Sequence, residues 1–171
     1  LQYISEAYKE LGDEDKALEY NQQYMDKNPN AAPTDFMKLA EIYVNKAKKD
    51  PAKKIENIDK AIGVYAKLSE KYPTLKTFAK LQEGNTAFQN ELDDKAIAAY
   101  TEVINELEAK QCDEDELSYL KTSYQYMGFI YTYDKQDFNT AKPYWDKLLK
   151  LDPQNKLAND AYEKAGLKPG E

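Results

Sequence analysis

Four stretches of this chain are written in one frame. "ALEYNQQYMDKNP" runs from Ala17 to Pro29, "AIGVYAKLSEKYP" from Ala61 to Pro73 and "AKPYWDKLLKLDP" from Ala141 to Pro153. Each opens on Ala. A core-sized position follows four residues on (Asn21, Tyr65, Trp145), then Tyr24, Leu68 or Leu148 three further, and Pro closes the frame. A fourth stretch, "AIAAYTEVINELE", keeps Ala96, Tyr100 and Val103 and carries Glu108 where the others have Pro. The i, i+4, i+7 spacing is one face of an α-helix. Such a unit cannot bury its apolar face alone, so its recurrence constrains the chain to an array in which neighbours bury one another.

Punctuation between the frames sets the helix ends. Gly12 closes "LQYISEAYKELG" as a left-handed cap. Thr34 is expected to cap a helix reaching about Lys49, and Asp50-Pro51 reads as N-cap plus first helical residue of a helix to about Lys71. Thr74 is expected to open the next helix, Asp93 or Asp94 to cap the one after, and Asp113 with Glu116 to form a capping box for a helix reaching about Tyr133. Pro143 confines the start of the helix bearing Trp145 to Asn139 or Thr140, unless the helix kinks. A last helix, Gln154 to Ala165, should turn Leu157 and Tyr162 or Ala161 inward. No segment alternates as a strand does, so the chain reads as all-α.

First helices carry an echo of their own: Ile4, Ser5, Tyr8; Leu39, Ala40, Tyr43; Met127, Gly128, Tyr131. The small residue admits a close partner helix and the aromatic fills the space between units. Ala61, Ala96 and Ala141 are expected at close helix contacts for the same reason.

These offsets resemble the tetratricopeptide repeat, most completely in "YQYMGFIYTYDKQDFNTAKPYWDKLLKLDPQN". The resemblance implies a right-handed α-solenoid of antiparallel helix pairs. One array over residues 1–171 is expected: a truncated repeat 1 (1–30), a lengthened repeat 2 (33–73), a degenerate repeat 3 (74–110), repeat 4 (114–152) and a capping helix with tail (153–171). The extra residues around "KAKKDPAKKIENID" read as two longer helices rather than a loop. The flavour is that of repeat proteins of Bacteroidetes-type bacteria. It implies a periplasmic or cell-envelope location, with the cytoplasm as the alternative, and a chain that is part of something longer.

Composition excludes little by itself but weighs against several chemistries. The net charge is −7, every cation is Lys and there is no His. Without Arg there is no planar fork for phosphate, so the cluster Lys46, Lys48, Lys49, Lys53 and Lys54 reads as a solvated tip, and no nucleic-acid partner is expected. No apolar run approaches a membrane span, so no direct membrane insertion is expected. Cys112 lies in "KQCDEDE", where acidic neighbours disfavour a thiolate. The clusters Asp13 to Asp15 and Asp113 to Glu116 lack a calcium-loop pattern and sit where helix N-termini favour negative charge. No catalytic residues, metal or cofactor are expected.

Tyr8, Tyr24, Tyr43, Tyr65, Tyr100 and Tyr131 fall on packing positions, whereas Phe88, Phe129 and Tyr133 do not. The resemblance puts the first helices on a concave face, implicating Glu41, Asn45, Asn85, Phe88, Gln89, Phe129 and Tyr133 in binding a peptide or helix of a protein partner. Leu81 falls on the same face. The competing readings are a helical accessory region of an enzyme and a structural spacer without ligand.

Overall fold

A computed structural model describes residues 1–170, apart from the side chain of Asp26. The described residues form helices and turns and no strand. The helices are α1 (Gln2–Glu10), α2 (Glu14–Lys27), α3 (Pro33–Lys49), α4 (Lys54–Lys71), α5 (Lys76–Gln89), α6 (Asp93–Glu108), α7 (Glu114–Phe129), α8 (Phe138–Leu151) and α9 (Lys156–Lys164). Within each unit, short connections make sequential neighbours antiparallel. The chain divides into two compact units, Leu1–Glu91 and Leu92–Glu171. The division falls between α5 and α6, inside the segment expected as repeat 3. Glu171, the end of the expected tail, lies outside the described residues.

In the first unit α1 ends as its glycine requires. Gly12 has φ +74°; its N–H donates to the Lys9 carbonyl and that of Asp13 to Tyr8, a Schellman pair that satisfies two otherwise orphaned acceptors. Asp13 then caps α2 by accepting from the Lys16 N–H at 3.2 Å. Thr34 does not cap α3. Pro33 takes the first helical position behind Ala32, and Asp35 reaches back to accept from the Ala32 N–H at 2.7 Å. Proline has no N–H to satisfy, so the helix starts a residue before Thr34 without needing its hydroxyl. Asp50 likewise makes no side-chain cap. Pro51–Lys53 is a 3-10 turn, and α4 starts only at Lys54. Pro73–Leu75 forms the same device in place of a Thr74 cap. The inserted residues do lengthen the pair: α3 has 17 residues and α4 has 18.

The core of this unit joins Phe36, Leu39 and Ala40 of α3 to Ala61, Val64, Tyr65 and Leu68 of α4. Ala40 and Ala61, small residues of this cluster on the two helices, are both 0 % exposed. Asn21 departs from the frame: it is buried where the other copies have Tyr or Trp, and its Oδ1 has no hydrogen-bond partner.

In the second unit Asp93 and Asp94 occupy the first turn of α6 behind Leu92 and make no cap bond. They act on the helix dipole instead, and Asp94 accepts from Lys135 at 3.0 Å. The capping box of α7 forms: Glu116 N–H donates to Asp113 at 2.8 Å and Asp113 N–H to Glu116 at 3.2 Å. α7 runs on through one π-helical turn, Ile130–Asp134, which accounts for the expected reach to Tyr133. Gly128 meets the fully buried Trp145 of α8.

α8 begins at Phe138, one residue before the earliest expected start, so Pro143 lies in its second turn. The amide that Pro143 lacks would have served Asn139, and both residues are exposed, so water can take the open carbonyl. Asp137 caps this start, accepting from the Thr140 N–H at 3.1 Å and its hydroxyl at 2.5 Å. These bonds hold the Asp137 carboxyl below its usual range. A lowered folded pKa means that the cap stabilises above the ordinary carboxylate value, about 3.9, and is lost as pH falls through the lower folded one. Acid titration followed by amide exchange should therefore expose the Thr140 N–H at low pH, and Asp137→Ala should abolish that step.

Asn155 caps α9, which ends at Gly166, φ +70°. Ala158, Ala161 and Tyr162 are buried, whereas Leu157 is only half-buried. The face is set by Ala158, one residue round the helix from the expected Leu157.

Candidate partner-binding surface

Within the first unit, side-chain pairs join the polar flanks of two first helices, α1 and α3. Lys9 of α1 pairs with Glu41 of α3 at 2.6 Å, Lys38 of α3 pairs with Glu6 of α1, and Gln2 donates to Asp35 at 2.8 Å. The Glu6 carboxylate pushes the Lys38 ammonium above its ordinary value. The Tyr65 hydroxyl of α4 is pushed up by burial and by the Glu41 charge, while its hydrogen bond with Thr86 of α5 draws it down. Asn45, Asn85 and Phe88 are half-buried and Glu41 and Gln89 are exposed. Leu81 is 4 % exposed and belongs to the packing instead.

Glu41 is therefore a committed group, neutralised by Lys9. The ladder Glu6–Lys38 and Lys9–Glu41 was not foreseen from the sequence, although opposite charges at matching offsets of two repeats were a usable signal. The Lys-rich tip is also more tied down than a solvated patch: Lys49 reaches Glu14 and the Gly12 carbonyl at 2.7 and 2.8 Å, and Lys46 reaches Asp15.

In the second unit Phe129 and Tyr133 come together, ring centroids 4.8 Å apart. Tyr133 faces the last helix. The Lys164 ammonium lies 4.6 Å from its ring centroid, and burial with the nearby Asp160 charge raises its hydroxyl pKa. A shallow cavity of about 320 Å³ opens here, lined by Thr132, Tyr133, Gln136, Phe138, Ala161 and Lys164. Nothing in the sequence foretold this cavity, since no local spacing brings Lys164 to Tyr133. Cys112 has its thiol pushed up by burial and the Glu116 charge, which disfavours the thiolate, and it donates to the Leu107 carbonyl. No helix among the described residues is long and apolar enough to cross a membrane.

Residues 1–31 match the family model of the tetratricopeptide repeat. No curated protein matches the chain. Among solved structures, the C-terminal part of a TPR repeat-containing protein from Cytophaga hutchinsonii is similar over 94 % of this chain and 58 % of its own, with a TM-score of 0.67 and 21 % identity. A human IFIT1 dimer solved with PPP-AAAA is similar over 95 % of this chain and 36 % of its own, with a TM-score of 0.62 and 17 % identity. This chain thus spans less than two thirds of either structure, and at such identities the likeness is one of fold. Residues 1–31 thus match a tetratricopeptide repeat, and nearly the whole length shares its paired-helix fold with these two structures.

Proposed function

We propose that this protein is a non-catalytic interaction module that receives a peptide or helix of a protein partner on its first helices. Tetratricopeptide repeats generally mediate protein–protein interaction, and their fold is typically a scaffold rather than a catalyst. The observation that supports the finer reading is solvent access off the packing frame. Phe88, Asn45 and Asn85 in one unit and Phe129 and Tyr133 in the other keep part of their surface in solvent; the frame tyrosines Tyr8, Tyr24, Tyr43 and Tyr131 are half-buried too, so it is position off the frame that singles out the first set. Each unit then offers an aromatic anchor, and the first adds amides, with Glu41 and Gln89 at its rim, that can hold an extended backbone or a helix.

The test is selection from a displayed random-peptide library, followed by affinity measurement on Phe88→Ala, Phe129→Ala and the double variant. Truncating an aromatic anchor typically costs about 2 kcal/mol or more, so the unit that is engaged should show a loss of roughly thirtyfold with helicity and Tm retained. Peptide binding that neither single variant nor the double one weakens would overturn the reading. A large drop in Tm would show that these aromatics are packing residues.

A further inference from the structure

We infer that the cavity between the α7–α8 turn and α9 is a binding site for a small carboxylic acid with an aromatic or branched apolar body. This goes beyond the peptide reading above and does not rest on it.

The turn that builds the cavity departs from the repeat. One residue more separates Tyr131 from Ala141 than Tyr8 from Ala17. Both turns close on equivalent bonds, from the Asp13 N–H to the Tyr8 carbonyl and from the Asp137 N–H to that of Tyr131. The extra residue is taken up in the π-helical turn Ile130–Asp134, and Gln136 stands where the first unit has Gly12, at φ +54°. Glycine takes that backbone without cost and glutamine does not. Single π turns and residues held at positive φ gather at functional sites. Here both meet at one place, because Thr132, Tyr133 and Gln136 all line the cavity.

The lining sets the chemistry. Tyr133 and Phe138 supply ring surface, and Ala161 adds an apolar patch. Lys164 and Gln136 supply donors, and the Thr132 oxygen accepts from the Trp145 Nε1, which leaves its own proton to donate. No carboxylate lines the cavity, and among the described residues none pairs with Lys164. The hollow at the Gly12 turn is the contrast: its lysines are neutralised from within, Lys46 by Asp15 and Lys49 by Glu14. An uncompensated cation beside two rings complements an anionic group on an apolar body. A volume of about 320 Å³ gives room for one ring and one acid group. The residues that follow α9 leave this site open: Pro169 and Gly170 line a different hollow with Lys142, Asp146 and Lys150, farther along α8 from Phe138.

The probe is hydrocinnamate, with hydrocinnamyl alcohol as its uncharged counterpart, titrated into the full chain and followed by amide NMR. Saturable shifts should appear at the Gln136 side-chain amide and at the backbone amides of Tyr133 and Lys164. The alcohol, and the acid with Lys164→Met, should each bind about tenfold or more weakly, the loss of one charge-assisted bond. Lys156→Met, at the exposed start of the same helix, should leave affinity unchanged. Gln136→Gly should raise Tm by releasing the strained φ and still weaken binding severalfold. Absence of saturable shifts, equal binding of the alcohol, full affinity in Lys164→Met, or a Gln136→Gly chain that gains Tm at full affinity overturns the inference. So does tighter binding of an end-blocked Phe-Glu-Phe tripeptide at the same amides, which would give the acid group to a peptide side chain.

Discussion

Trp145→Ala should lower stability by about 3–5 kcal/mol, the usual cost of emptying a fully buried aromatic site. The indole is 0 % exposed, and its Nε1 donates to the Thr132 hydroxyl at 2.9 Å, so truncation removes packing and leaves a polar group without its donor. Gly128→Ala probes the same contact from the other helix. A Cβ there would stand 2.5 Å from Trp145 Cε2 and 2.6 Å from Cδ2, closer than carbon atoms pack. The indole or the α7–α8 spacing must give way, at about 1–3 kcal/mol, against a helix-propensity gain of about 1 kcal/mol on replacing glycine. The sign of the glycine substitution should therefore reverse in the Trp145→Ala background, where the space is open and only the propensity gain remains. Chemical denaturation of the double-mutant cycle would show a coupling of about 2 kcal/mol. Additivity within error would mean that the indole is not what requires glycine at position 128.

The second large effect is expected at the close approach of α3 and α4. Ala61→Leu adds three heavy atoms at a site that is 0 % exposed, in the cluster that also holds Ala40 at 0 %. The helices must separate or their side chains leave favoured rotamers, again at about 1–3 kcal/mol. Ala96→Leu should behave in the same way, since Ala96 is 0 % exposed. Lys67→Leu and Lys110→Leu, at exposed positions, should change stability by no more than about 0.5 kcal/mol. Equal tolerance at the alanines and the lysines in thermal melts would show that the frame does not mark helix contacts.

The amino-acid sequence alone determined what depends on neighbours along the chain. Amphipathic period, the Ala-led frame, Gly12 and Gly166 as left-handed caps and the Asp113–Glu116 box follow from short-range geometry, and each is present in the fold. That a small first-helix residue admits a close partner helix was legible from its recurrence, whereas its meeting with Trp145 at Gly128 was not. Starts of helices were less legible. Thr34, Asp50 and Thr74 are all good cap residues by type, yet Pro33, Pro51 and Pro73 open the turns. Proline has its φ already fixed near the helical value, so Pro33 and Pro73 start their turns one residue early and leave Thr34 and Thr74 inside the turn rather than at its cap.

Tertiary structure alone decided which side chains are available. Glu41 and Asn45 share a helix and a polar flank, but only the approach of α1 to α3 commits Glu41 to Lys9. Tyr133 has the spacing of a groove residue, but the arrival of α9 puts Lys164 over its ring.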